Sequence, residues 1–245
     1  MIQFKVEIAG KIAKVSTIHT RPKAIARDFI TVKKSMFSIA TNHKDIEQAR
    51  VSYELVNRKQ CTKTEGFLET IVVLEKIAVA LIDFNVLLIH GGAIGLNNFA
   101  YLFTASSGVG KTTHILKWLN RCPDAYVING DKPFIKFSDN GTPPLACGSP
   151  WAGKENLYTN TMVPLKSIIL MERAEENHIE QISFAQAFPR LLQQVYRPDD
   201  EDKMRKTLKL MQRLNPAVSF WRFQCNNFKD DCFDVAYNAL VKGQS

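Results

Sequence analysis

Ala105-Ser106-Ser107-Gly108-Val109-Gly110-Lys111-Thr112-Thr113 is the stretch on which the reading of this chain turns. Against the pattern G-x-x-x-x-G-K-[ST] it matches everywhere except the first position, where Ala105 stands in place of glycine. Gly108 and Gly110 permit backbone conformations that turn successive N–H groups toward one point, a nest for an anion. On this reading Ser106, Ser107, Gly108, Val109, Gly110 and Thr113 line the nest. Lys111 reaches the β- and γ-phosphates of a nucleotide, and the Thr112 hydroxyl binds Mg²⁺. An apolar strand, Ala100 to Phe103, precedes the loop, and a helix from Lys111 to Asn120 follows, its dipole adding attraction for phosphate. The substituted first glycine leaves a second reading open, a small-residue turn from strand to helix that binds nothing.

Moving outward, Ala125-Tyr126-Val127-Ile128 is an apolar strand that runs into Asn129-Gly130-Asp131. In an α/β sheet the ends of neighbouring strands face one crevice. Asp131 is thus placed to hold Mg²⁺ through water or to take the proton of an attacking hydroxyl. Asn-Gly-Asp is equally good turn chemistry. His90 ends the strand Val86 to His90 and is followed by Gly91-Gly92, which makes it a phosphate-side donor or a structural strand-end histidine. In the Gly- and Pro-bearing loop Cys147 to Asn156, Glu155 and Lys154 are candidate contacts to metal and phosphate, although a loop glutamate usually faces solvent. Cys147 has no histidine tied to it and reads as a structural thiol.

Strands and helices alternate around this centre, which predicts an α/β fold. Phe99 to Thr104 is expected to pair with the preceding strand across an Asn97-Asn98 turn, since Asn tolerates positive φ. A second hairpin is expected across Ser138-Asp139-Asn140-Gly141, and a strand over Ser167 to Met171. Ser183-Phe184-Ala185-Gln186 has capping-box spacing and should open a helix toward Val195. Asp199 to Arg213 reads as a helix with acids first and bases last, the order its dipole prefers. Its Arg205, Lys209 and Arg213 form either a solvated face or a docking stripe for an acidic partner. Ser219 to Gln224 and Asp230 to Val241 close the chain as strand and helix. Upstream, residues 2–8, 11–17, 29–32 and 36–40 are short β-like runs, Lys33 to Val56 is polar and mixed, and Leu68 to Phe84 is a very apolar helix. Residues 1–66 are therefore read as a small β-rich region, and 67–245 as the domain carrying the loop.

With 245 residues, 45% of them hydrophobic, the chain has ample material for a core, and disorder is excluded as its dominant state. Lys plus Arg total 32 against 24 Asp plus Glu, and the net charge of +8 favours polyanions such as nucleotides. The bases are spread along the chain rather than gathered on one element between aromatics, which disfavours nucleic acid as the partner. Five cysteines at Cys61, Cys122, Cys147, Cys225 and Cys232 show no metal-ligand spacing and no CxxC, so a reducing compartment fits better than a disulfide framework. Met1 to Lys14 lacks the uninterrupted apolar stretch of a signal peptide, and Leu68 to Ile82 is too short and too charged to span a bilayer. A cytoplasmic protein without membrane attachment is expected.

The order of strand–His-Gly, hairpin, GVGKTT loop, helix and strand–Gly-Asp resembles the HPr kinase/phosphorylase catalytic domain over residues 86–137. It is also similar to the nucleotide site of PEP carboxykinase, and more closely to short HPr-kinase-related proteins, some of which phosphorylate serine in peptides or small molecules. The resemblance implies an α/β fold with an HPr kinase C-terminal/PEP carboxykinase-like P-loop core. It makes ATP and Mg²⁺ the cofactors, a hydroxyl-bearing peptide, protein or small molecule the acceptor, and a homo-oligomer the assembly. Carried over, Lys111 and Thr112 become the phosphate and Mg²⁺ ligands, Asp131 the metal-linked base, His90 a phosphate-proximal residue and Glu155 a second metal ligand. Arg190 and Arg197 are candidates for transition-state or substrate contacts, and equally for surface charges. The chain departs from HPr kinases where they have two adjacent aspartates: here Asp131 lies between Gly130 and Lys132. That departure speaks against the reverse dephosphorylation. It also keeps a non-catalytic nucleotide-binding regulatory module as the rival reading.

Overall fold

Phe4, Val6 and Ile8 are buried and alternate with more exposed neighbours, and this period of two sets β1 (Ile2–Ile8) against β2 (Lys11–Thr17) as an antiparallel hairpin. Ala9 and Gly10, both at positive φ, make the turn. The structure is a computed structural model that describes residues 1–244, and its contacts divide the chain into two units, Met1–Phe84 and a second beginning at Asn85. In the first unit, α1 (Arg21–Ile25) begins where Thr20-Arg21-Pro22 predicted only a turn, because proline suits the first helical turn. The run 29–32 is no strand. Arg27–Phe29 is a 3₁₀ turn that buries Phe29, and Ile30 makes a single bridge to Val6. β3 (Phe37–Ala40) adds to β2 in parallel.

The polar tract that follows is a helix, α2 (His43–Asn57), started by a capping box between Asn42 and Asp45. Of its residues only Ile46 is buried, so its sequence has no apolar stripe by which to recognise it. α3 (Glu65–Ile82) starts at the Thr64 cap, and the boundary expected at 66/67 falls inside its first turn. This helix belongs to the first unit, which is thus an α/β unit through Phe84 rather than a β-rich appendage of 1–66.

In the second unit, β4 (Val86–Leu88), β5 (Gly92–Leu96) and β6 (Phe99–Thr104) lead to α4 (Lys111–Arg121). Asn97 and Asn98, at φ 51° and 64°, join β5 to β6 as the predicted tight hairpin. After β7 (Tyr126–Asn129), β8 (Phe134–Lys136) and β9 (Leu145–Cys147) pair antiparallel across the expected second turn. β10 (Met162–Arg173) is 12 residues long; its first part pairs with β9, and its second part lies parallel to β6. β11 (His178–Ile182), which the sequence reading did not anticipate, precedes α5 (Phe184–Gln194), α6 (Glu201–Gln212), β12 (Ser219–Cys225) and α7 (Cys232–Leu240). The capping box at Ser183 and Gln186 and an Asp200 cap open α5 and α6. Successive residues of β6 serve opposite faces of the sheet. Ala100 and Leu102 join a core with Leu191 of α5 and Met211 of α6, while Tyr101 and Phe103 join one with Trp118 of α4 and Phe233 of α7. Ile168 and Ile169 of β10 divide in the same way. Helices on both faces make the central strands apolar throughout. Among the described residues, no helix is long and apolar enough to cross a membrane.

Candidate functional site

β6 and β7 each pair antiparallel with β5, so they run parallel to one another and end on the same edge of the sheet. That edge brings the loop after β6, the loop after β7 and the entry to β5 together, which is where α/β sheets bind ligands. The Gly91 N–H donates to the Asp131 carbonyl at 3.0 Å, tying His90-Gly91 to the end of β7.

The glycine loop has the geometry its glycines permit. Gly108 and Gly110 lie at φ 82° and 113°, and Gly110 caps α4. Its carbonyls are engaged by the protein: the Lys111 ammonium donates to Ala105 at 2.8 Å and to Ser106 at 3.4 Å, Arg173 donates to Gly108, and the Asn227 side-chain amide donates to Gly110 at 3.1 Å. The N–H groups of the first turn of α4 have no intrahelical acceptor and carry the positive end of its dipole. Ser106, Ser107 and Gly108 are exposed, Val109, Gly110 and Thr112 half-buried, and Thr113 exposed, so the loop is open to a ligand. Lys111 is 8% exposed, and burial pushes its ammonium below the usual lysine range; nearby Asp131 opposes the shift and Lys132 adds to it. Chemically, such an arrangement of backbone N–H groups around one buried cation could hold an anion.

Asp131 faces the same edge. His90 Nε2 lies 3.3 Å from its Oδ1 and the Lys132 ammonium 3.8 Å away. Burial alone would raise its pKa, but the His90 hydrogen bond and the charges of Lys132, His90 and Lys111 outweigh burial and hold the carboxyl below its ordinary value. The other ring nitrogen of His90, Nδ1, meets Gln194 Oε1 at 3.1 Å, and its backbone N–H donates to the Gln194 carbonyl at 2.8 Å. The Asn-Gly-Asp segment is a turn as well as a site. Buried Asn129 accepts the N–H groups of Asp131 at 2.8 Å and Lys132 at 2.6 Å while donating to Ser149. Turn chemistry and placement of the carboxylate are one device here.

Of the other residues singled out by sequence, Glu155 and Lys154 are exposed on the turn around Gly153, whose backbone packs against Asp131. Arg190 pairs with Glu172, and Arg197 is exposed. Arg205 pairs with Glu201 and Arg213 lies 4.0 Å from Asp139, in keeping with a solvated face on α6. Cys147 is buried, and burial pushes its thiol up to about 12, which suits a structural role. Sequence reasoning missed Lys132, Asn129, Gln194, Arg173 and Asn227. The first two stand beside Asp131 and carry a signal in the turn; the last three are distant in sequence and carry none. A cavity of about 490 Å³ adjoins the glycine loop, lined by Val109, Arg173, Glu175, Asn226 and Phe228, whose ring is fully exposed.

The unit is thus an α/β sheet with a glycine loop and an Asp–His pair on one edge. No family model matches the sequence, and no curated protein matches it. Among solved structures the chain is similar to the HPr(Ser) kinase/phosphatase from Coxiella burnetii, at 12% identity and a TM-score of 0.39, over 64% of this chain and 99% of that one.

Proposed function

We propose that the second unit is an ATP- and Mg²⁺-dependent phosphotransferase that moves the γ-phosphoryl group to a hydroxyl, with a peptide or protein serine as the leading acceptor. One observation carries the reading: the Asp131–His90 pair and the open glycine loop around Lys111 stand on the same sheet edge. The backbone N–H groups of Ser106 to Thr113 would hold the phosphates, and Lys111 would exchange its carbonyl partners for the β- and γ-phosphate oxygens. The cavity beside Val109, with exposed Phe228 at its rim, is the space left for the nucleoside.

Thr112 and Asp131 would hold Mg²⁺, with Glu155 as a further carboxylate; the donor set is all oxygen, as Mg²⁺ requires, and the ion would neutralise charge on the γ-phosphate. Asp131 orients the acceptor hydroxyl and accepts its proton, while His90 fixes the carboxylate's direction. In the resting protein burial is outweighed by the His90 hydrogen bond and the charges of Lys132, His90 and Lys111, which hold Asp131 below its ordinary pKa, in the ionised form that a base or a metal ligand needs. A non-catalytic nucleotide-binding module is the second reading. The observation favouring it is Lys132, whose ammonium stands beside Asp131 where the resemblance calls for a second carboxylate. Incubation with γ-labelled ATP, Mg²⁺ and serine peptides, read by mass spectrometry, separates the two. Label on a hydroxyl supports the kinase, and nucleotide binding without transfer to any hydroxyl, water included, supports the module.

A further inference from the structure

Beneath the glycine loop lies a sulfur cluster that the proposed chemistry does not use. Cys225 ends β12, Cys232 opens α7, and their sulfurs are 3.3 Å apart. His114 of α4 places Nδ1 3.4 Å from the Cys232 sulfur, and Asn227 Oδ1 lies 3.4 Å from each sulfur. The Asn227 amide nitrogen is the group that donates to the Gly110 carbonyl. One short segment, Cys225 to Cys232, therefore joins two thiols to the backbone of the glycine loop.

Three buried ligand-type atoms invite a metal reading, but the indole of Trp118 speaks against it. Its Nε1–H meets His114 Nε2 at 3.0 Å, and an indole nitrogen only donates. His114 Nε2 is therefore the acceptor, and the imidazole proton sits on Nδ1, facing Cys232. A metal on Nδ1 would move that proton to Nε2 and set two donors against each other. The hydrogen that faces Cys232 instead suits a thiolate. The Cys225 thiol directed at Cys232 holds that group below the ordinary thiol range; burial opposes this, and His114 reinforces it. The position of Cys232 at the first turn of a helix acts in the same direction.

We propose that Cys225 and Cys232 form a hydroperoxide-sensitive modification site, in which oxidation to a disulfide releases Asn227 from Gly110. The Cys232 thiolate attacks one peroxide oxygen, the O–O bond breaks, and the departing hydroxide takes a proton from solvent and leaves as water. The Cys225 sulfur then displaces the hydroxyl from Cys232, and its own proton leaves with that hydroxyl as a second water. Two electrons pass from the sulfurs to the peroxide. The sulfurs need to approach by about 1.3 Å to bond. Burial selects the oxidant: Cys232 is 0% and Cys225 2% exposed, and Cys225 borders the cavity beside the loop. That burial excludes a bulky disulfide such as that of glutathione, and a small hydroperoxide would enter from the cavity, past Cys225. Drawing the two sulfurs together moves the segment between them, and with it Asn227, whose Oδ1 lies 3.4 Å from each sulfur and whose amide steadies the Gly110 carbonyl.

The test uses the full chain, treated with hydrogen peroxide or with reductant. Peptide mapping by mass spectrometry is expected to find a Cys225–Cys232 disulfide, with Cys122 and Cys147 still reduced. In Cys225→Ser, a cyclic 1,3-dione added under denaturing conditions once the peroxide is removed should label Cys232 as its sulfenic acid, and Cys232→Ser should leave Cys225 unlabelled. Amide exchange over Ser106 to His114 should be several-fold faster in the oxidised protein, a readout that needs no nucleotide. Absence of the disulfide, dione label on Cys225 instead of Cys232, or one zinc per chain in the purified protein would each overturn the site. Unchanged loop exchange in the disulfide form would overturn the link to Gly110. That the oxidised loop also binds ATP more weakly rests on the nucleotide reading, and a reduced protein that binds no ATP counts against that reading alone.

Discussion

Two side chains and one glycine separate binding from chemistry at the sheet edge. Asp131→Asn keeps size and hydrogen bonding but removes charge and basicity, so calorimetry should show ATP affinity little changed. Transfer of labelled phosphate should fall by ~10²-fold or more, the scale for losing a positioned base. Lys111→Ala should instead impair binding and transfer together, since its buried ammonium is the cation inside the loop. Undiminished transfer by Asp131→Asn would move the base to His90 or Glu155. Gly110→Ala probes the loop itself. A Cβ at φ 113° is strained, and it would collide with the Asn227 amide that holds the Gly110 carbonyl. A loss of at least about 1 kcal/mol in a denaturant titration is expected, along with weakened nucleotide binding. Stability and affinity both unchanged would show that the loop conformation does not depend on this glycine.

Among the elements, α3 carries the most instructive contact of the first unit. Glu69, fully buried on it, accepts the N–H groups of Ile18 at 2.7 Å and His19 at 2.8 Å, together with the Thr41 hydroxyl. Burial would raise its pKa, but these bonds and the His19 side chain win and hold the carboxyl below its ordinary value. A carboxylate depressed in the fold stabilises it above the unfolded-state pKa and loses that effect as pH falls through the folded one. Glu69→Gln sets an amide donor against N–H groups. It should cost roughly 2 kcal/mol near neutral pH, and much of the difference from wild type should vanish on acidification below the ordinary carboxylate pKa. Equal melting temperatures at neutral pH would refute this. Glu69 reads in sequence as one charge in an apolar helix, and its partners, 28 to 51 residues away, give no local sign. α2 was hidden for the opposite reason: a helix with one buried residue shows no stripe.

For the whole molecule, nucleotide binding is a stability statement. A ligand that binds only the folded state stabilises it by about 2.7 kcal/mol at a hundred times its Kd. ATP with Mg²⁺ at millimolar concentration should therefore raise the melting temperature of the wild type and leave Lys111→Ala unmoved. No shift in the wild type would remove the phosphate-loop reading. The +8 net charge favours every anion to some degree, so matched ionic strength with sulfate is the needed control.

The sequence by itself determined what depends on local pattern. Period-two burial makes the β1–β2 hairpin legible, the Asn97-Asn98 turn between two apolar runs marks the β5–β6 hairpin, the Ser183-Gln186 signal places a cap, and the spacing of Gly108, Gly110 and Lys111 marks the loop. Such features are set by dihedral preferences and by which face a side chain takes, and both are written within a few neighbouring residues. Only the tertiary structure decided that β5 lies between β6 and β7, which puts Asp131 on the edge of the loop. It alone set Gln194 behind His90, and Arg173 and Asn227 on the loop's carbonyls. These pairings join residues up to 117 positions apart, and strand order, chosen by the packing of two apolar cores on one sheet, is what brings them within hydrogen-bonding distance.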